Sequence, residues 1–187
     1  NLSVRFSREG EGYKRPTNFI KEKITSPVID KPGVGVGTNE TASSYLTSLM
    51  DGKNVFSYPK PVSLIKYLTN FICKDSDIVM DFFSGSGTTA DAVWRYNVEN
   101  KEVALKYILV QLPENLDENL KTADANSKEL LLNGIQLLDG INKPHKLTEL
   151  AKYRLAKTID SIKQDNPDCQ MDLGFRVFRV DESNFED

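Results

Sequence analysis

The 187-residue sequence predicts an α/β protein built on a doubly wound, mostly parallel sheet. Three observations predict it. Two short apolar runs, Asp77–Phe83 (DIVMDFF) and Lys106–Leu112 (KYILVQL), read as buried strands. Between them a glycine turn, Ser84–Thr89 (SGSGTT), breaks the first run and opens a helix carrying Ala90, Val93 and Trp94. Ahead of both, Val62, Ile65, Leu68 and Ile72 recur at helical spacing. Strand, glycine turn, helix, strand is how such a sheet opens.

The elements follow in chain order. Residues 1–23 hold six bases against three acids, with Phe6, Tyr13 and Phe19 interleaved. Such a segment suits nucleic-acid phosphates, but a local excess of +3 is also ordinary solvated surface, and that plainer reading is preferred. Pro27, Pro32, Gly33, Gly35 and Gly37 mark an irregular loop. Pro61 suits a first helical position. Leu64 and Phe71 widen the stripe of the helix it opens, which ends near Lys74 and Asp75. The two strands and the glycine turn come next, and Pro113 closes the second strand. Residues 114–129, with five acids and two lysines, read as a loop or an exposed helix. A helix is predicted from Leu147 to about Lys163, packing through Leu150, Tyr153, Leu155 and Ile159. Gly174–Val180 alternates with period two, the mark of a strand with one wet face.

Composition narrows the function classes. The formal net charge is -3, 39% of residues are hydrophobic, and nine Phe with seven Tyr argue against disorder. No run approaches the length of a transmembrane helix, and residues 1–20 lack the apolar centre of a signal peptide. Cys73 and Cys169, with the lone His145, supply neither a disulfide framework nor a structural zinc site. A reducing, cytoplasmic setting is therefore expected. His145 in its loop reads as solvent-exposed, Cys73 and Trp94 as core residues, and Cys169 as a turn residue without a role. Ser84 and Ser86 do not sit in a G-x-S-x-G elbow, which removes a hydrolase reading.

The glycine turn carries the chemistry. Gly85, Gly87 and Ala90 satisfy G-x-G-x-x-G/A directly after a strand and at the start of a helix. The first glycine permits the tight turn, the second lets a ligand approach the backbone, and Ala90 allows close packing. The N–H groups of Thr88 and Thr89 face an anion at the positive helix end. No Lys-Ser or Lys-Thr follows, so a nucleoside-triphosphate loop is excluded. The ribose-binding position falls at the end of the second strand, on Gln111 with Glu114 as second choice. This spacing alone does not separate a nicotinamide cofactor from S-adenosylmethionine.

Residues around the turn do. Asp81–Thr89 (DFFSGSGTT), preceded by Phe56–Val62 (FSYPKPV), resembles the DNA amino-methyltransferases. More narrowly, it is similar to the modification (Mod) subunit of type III restriction-modification systems, which methylate adenine at N6. The likeness runs through Tyr107–Glu114 and the helix around Tyr153 and Arg154 to Asp172–Phe185. It implies a Rossmann-like S-adenosylmethionine-dependent fold, incomplete in this chain and preceded by an irregular N-terminal segment. It also implies S-adenosylmethionine as cofactor, with Ser84, Gly85, Ser86 and Gly87 forming its loop. Thr88 and Thr89 would receive its carboxylate, Asp81 its ammonium, and Phe83 would line the same cleft. Pro59, Lys60 and Pro61 match the motif beside the cofactor, so Lys60 is expected near that carboxylate. No metal and no covalent intermediate are implied: the methyl passes in line to the adenine nitrogen.

One departure matters. Relatives of this kind hold the target amino group with an Asp/Asn-Pro-Pro-aromatic tetrapeptide. The sequence contains none; Tyr58–Pro61 and Asn166–Cys169 do not fit. Because the chain begins at Asn1, about eighty residues before Asp81, the expectation is a C-terminal part of a longer enzyme. Residues 1–55 would be the tail of a target-recognition region and 56–187 the cofactor-binding part. No catalytic residue is assigned within it, and the chain alone is expected to bind the cofactor weakly or not at all and to be inactive. DNA, a restriction subunit and further copies of the chain are the implied partners, and no membrane. Two alternatives stand beside this reading. One is a nicotinamide-dependent oxidoreductase, disfavoured by Gln111 and by the absence of a Tyr/Lys or His/Asp set. The other is a non-catalytic, partner-binding module.

Overall fold

The structure, a computed structural model, describes residues 36–180. The basic segment 1–23 and most of the glycine-rich loop lie outside the described residues. Eight elements follow in order: α1 (Asn39–Leu49), α2 (Val62–Ile72), β1 (Ile78–Asp81), α3 (Thr88–Glu99), β2 (Lys106–Leu109), α4 (Leu116–Thr122), α5 (Ala125–Gly140) and α6 (Leu147–Asp165).

The predicted centre is present. β1 and β2 pair in parallel, from Ile78 opposite Lys106 to Asp81 opposite Leu109, with α3 as the crossover between them. Both strands are shorter than their apolar runs. Beyond the ladder Val110 still donates to the Asp81 carbonyl at 2.8 Å and Ser84 to the Val110 carbonyl at 3.1 Å, as the chain bends into the glycine turn. The strands are not buried on both faces as predicted. Val79, Tyr107 and Leu109 pack under α3, while Ile78, Met80, Ile108 and Val110 face outward and exposed. Among the described residues no second helical layer covers that face, so the sheet is a ribbon of two strands covered on one face only.

Three apolar clusters hold the elements together. Ala90 and Trp94 of α3 meet Leu155 and Ile162 of α6 together with Leu173. Val93 and Tyr96 meet Leu105, with half-buried Cys73 and Val79 beside them. The third cluster joins Leu46 and Met50 at α1 to Leu116, Leu137, Leu138 and Leu150 of the last three helices. Trp94 is thus a core residue, set edge-on against Tyr107 at 5.5 Å. Burial pushes the Tyr107 phenol up to about 12, with the Asp172 carboxylate adding to the effect.

Several expectations are corrected. The N-terminal segment is not irregular throughout. α1 starts where the Thr38 hydroxyl accepts the Thr41 N–H at 3.2 Å, and its Ala42, Leu46 and Leu49 repeat at helical spacing on a buried face. The Gly and Pro content just upstream obscured it. Pro61 caps α2 from one residue outside it, and the predicted stripe of that helix is poorly covered: Leu68 and Ile72 are exposed, and Tyr67 and Thr69 are the buried residues. α5 was unread beyond residue 129, although Asp124 caps it by accepting the Ser127 N–H at 2.7 Å. Gly174–Val180 forms no strand: it has no regular structure and pairs with no described strand, and Val177, Phe178 and Val180 are exposed. Alternation predicts a face, but a strand also needs a neighbour to bond.

Candidate functional site

The site is built where β1 ends. Asp81 closes the strand, and its carboxylate turns back on the loop that follows. One oxygen accepts the Phe83 N–H at 3.1 Å, the other the Thr89 hydroxyl at 2.7 Å. That carboxylate therefore ties the strand end to the first turn of α3. Gly85 and Gly87 have φ of 51° and 82°, left-handed values that side chains resist. Gly87 is the cap residue of α3, and a methyl group there would sit 3.0 Å from the Leu155 side chain. A close approach to α6 by itself requires this glycine. Thr88 and Thr89 open the helix, so their N–H groups have no helical carbonyl ahead of them.

The turn forms one wall of a cleft of about 220 Å³. Phe56, Ser57, Tyr58, Pro59 and Lys60 form the opposite wall, and Ile65 of α2 lies at its side. Nine of the thirteen expected site residues line it: Pro59, Lys60, Asp81, Phe83, Ser84, Gly85, Ser86, Thr88 and Thr89. Pro61, Gly87, Gln111 and Glu114 do not. Pro61 caps α2 through its carbonyl. Gln111 braces the turn, its side-chain oxygen accepting the Gly85 N–H at 2.8 Å. Glu114 faces α4, where it accepts from Asn119 at 3.0 Å. The cleft is smaller than the roughly 300–1,000 Å³ of a full ligand pocket. Its walls suit one polar end of a ligand, with a cationic Lys60 and an anionic Asp81 in the same space.

Sequence reasoning missed two features. Tyr58 lines the cleft with φ of 50° and its ring exposed. A bulky residue there, directly before a proline, is a conformational outlier of the kind that clusters at functional sites. The second feature lies behind the turn. Arg154 and Asp91 are both buried and pair at 2.6 Å. Asp91 also accepts from Arg95 at 2.7 Å and from the Tyr45 hydroxyl at 3.0 Å, joining α1, α3 and α6. Burial and then the Asp91 carboxylate hold the Tyr45 phenol above its ordinary range, so it stays a donor. The available signal was spacing: Leu150, Arg154, Thr158 and Ile162 fall four apart, on one buried stripe of α6. His145 also differs from its reading. It bridges Asp117 at 2.9 Å and Asp139 at 2.8 Å, linking α4 to α5.

A helix N-terminus behind a glycine turn, at the end of parallel strands and beside a mixed-charge cleft, defines a class. It is an α/β protein with a small parallel sheet and a cleft at the ends of its strands. The family follows from comparison. The sequence matches the DNA methylase (N6/N4 methyltransferase) model over residues 21–115, half of the chain, and the chain belongs to that family. It is 30% identical over 144 residues to the StyLTI Mod subunit of a type III restriction-modification enzyme from Salmonella typhimurium, covering 77% of this chain and 19% of that relative. To the EcoP15I Mod subunit of Escherichia coli it is 38% identical over 94 residues, 50% of this chain and 14% of the relative. To the type II methyltransferase M.KpnI of Klebsiella pneumoniae it is 40% identical over 53 residues, 28% of this chain and 12% of the relative. The chain thus spans a fifth or less of the length of these relatives.

Proposed function

We propose that this chain carries the methyl-donor pocket of a site-specific DNA adenine-N6 methyltransferase of a type III restriction-modification system. The observation that carries the reading is the placement of Asp81, Lys60 and the N-terminus of α3 around one cleft. S-adenosylmethionine, when bound, supplies the electrophilic methyl group. The residues present fit its amino-acid end. Thr88 and Thr89 offer N–H groups to the carboxylate, and Lys60 adds a positive charge beside them. Asp81, already fixed by Thr89, retains acceptor capacity for the ammonium. Phe83 and Tyr58 provide exposed aromatic walls. Gln111, expected at the ribose, has its oxygen on the Gly85 N–H at 2.8 Å and its Nε2 on the Leu112 carbonyl at 3.3 Å, so its part in this reading is to brace the turn. The Rossmann-like fold and a cofactor-binding part starting near residue 56 belong to the same proposal. Names of the relatives support DNA and a restriction subunit as partners, and the exposed sheet face supports further association.

The acceptor tetrapeptide is not among these 187 residues, so the chain alone is proposed to hold the donor without methylating DNA. The family match leaves the oxidoreductase alternative without support. Calorimetric titration with S-adenosylmethionine and with NAD tests the reading. Binding of the first and not the second is expected; the reverse would overturn it. Robust transfer of labelled methyl to DNA by the chain alone would refute its dependence on an acceptor motif outside it.

A further inference from the structure

Arg154 stands outside the cleft, yet it touches the Gly87–Thr88 peptide, whose N–H belongs to Thr88, a residue of the cleft wall. Its guanidinium donates from Nη1 to the Gly87 carbonyl at 3.1 Å and from Nη2 to the Asp91 carboxylate at 2.6 Å. Both acceptors belong to the first turn and cap of α3, while Arg154 comes from α6, 67 residues from Gly87 in sequence. A planar fork bonded at two points fixes orientation as well as distance, which a single-point cation does not. The Gly87 carbonyl and the Thr88 N–H share one planar, trans peptide, so they point in opposite directions. Holding the oxygen toward α6 aims the N–H away from α6. The carbonyl also accepts the Ala90 N–H at 3.1 Å, so the peptide is fixed from the helix side as well. A cation on the oxygen polarises the unit and strengthens the N–H as a donor. The guanidinium is buried and shielded little by water.

We infer that Arg154 is a positioning residue for the methyl donor: acting through the Gly87–Thr88 peptide, it sets the affinity of the turn for the donor's carboxylate. The inference rests on the reading of the cleft as the donor pocket. Asp91 serves as the counter-charge that keeps Arg154 in register, and Arg95 and Tyr45 hold Asp91 from the other side.

The test uses two ligands that differ in the group concerned. S-adenosylhomocysteine carries the amino-acid carboxylate, and 5′-methylthioadenosine lacks the whole amino-acid end. Affinities for both are measured by calorimetry on the full chain, per folded molecule, with wild type and Arg154→Lys. Arg154→Lys keeps the charge and loses the fork. It is expected to weaken S-adenosylhomocysteine about tenfold, about 1.4 kcal/mol, and to leave 5′-methylthioadenosine within twofold. Equal losses for the two ligands, or no loss for either, would overturn the inference by making Arg154 a residue of the fold alone. Should Arg154→Lys not fold, Asp91→Asn carries the same expectation. Leu150→Ala, buried in a different cluster, serves as the destabilised control and should leave both affinities unchanged. If wild type binds neither ligand, it is the donor-pocket reading that fails, a result distinct from every outcome above.

Discussion

Replacing Gly87 by alanine tests how the turn is held. The added methyl meets two penalties. At φ of 82° an L side chain pays about 1–2 kcal/mol for the left-handed conformation. It also lies 3.0 Å from Leu155 Cδ2 and 3.3 Å from its Cγ, inside normal contact. That crowding falls at the lower end of the ~1–3 kcal/mol typical of overpacking, because Leu155 can shift. Restricting the unfolded chain returns about 0.4–1 kcal/mol. The net expectation is a loss of about 2 kcal/mol, or about 4–8 °C in Tm for a chain of this size. Equilibrium urea unfolding of Gly87→Ala measures it. The double variant with Leu155→Ala separates the terms: removing the obstructing side chain should recover about 1 kcal/mol relative to additivity. A loss below about 0.5 kcal/mol, or strict additivity, would refute the claim that α6 dictates this glycine.

Three further outcomes are expected. Hydrogen bonds to Asp139 and Asp117 raise the His145 pKa above 6.5, so its stabilisation is complete below that pH and lost as pH rises through the raised value. The urea midpoint should fall across that window in wild type and stay level in His145→Gln. Leu138→Ala, fully buried at the junction of the last three helices, should cost about 2–5 kcal/mol by the same assay. Phe178→Ser, on the exposed segment before Val180, should change stability by less than about 0.5 kcal/mol, and a larger loss would show that the segment packs.

What the sequence made legible had short-range causes. The β1–turn–α3–β2 unit announces itself because each part restricts the next: an apolar run, glycines at left-handed φ, then an amphipathic helix. Nine cleft residues were found for the same reason, since they lie in two contiguous motifs. Contacts between distant segments were not legible. Nothing near Arg154 in sequence marks its pairing, because its partner Asp91 lies 63 positions earlier. Gln111 was placed at the ribose from its strand position, but the bend of the loop brings the Gly85 N–H onto it. The Gly174–Val180 alternation was read correctly as a pattern and wrongly as a strand, because pairing depends on a neighbour that the pattern does not contain.

The burial of α3 has a consequence for motion. Nine of its twelve residues are buried, and its first turn is anchored by Asp81 through Thr89 and by Arg154 through Gly87 and Asp91. The hydrogen-bonded amides in the middle of α3 should exchange with solvent only when much of the molecule opens. Residues 175–180, which donate no backbone hydrogen bond among the described residues, should exchange at once, whereas the central amides of α3 should be among the last to take up deuterium. On the proposed reading, the cleft wall that meets the donor's carboxylate would then be borne by an element that opens late, and little ordering entropy would remain to be lost there on binding.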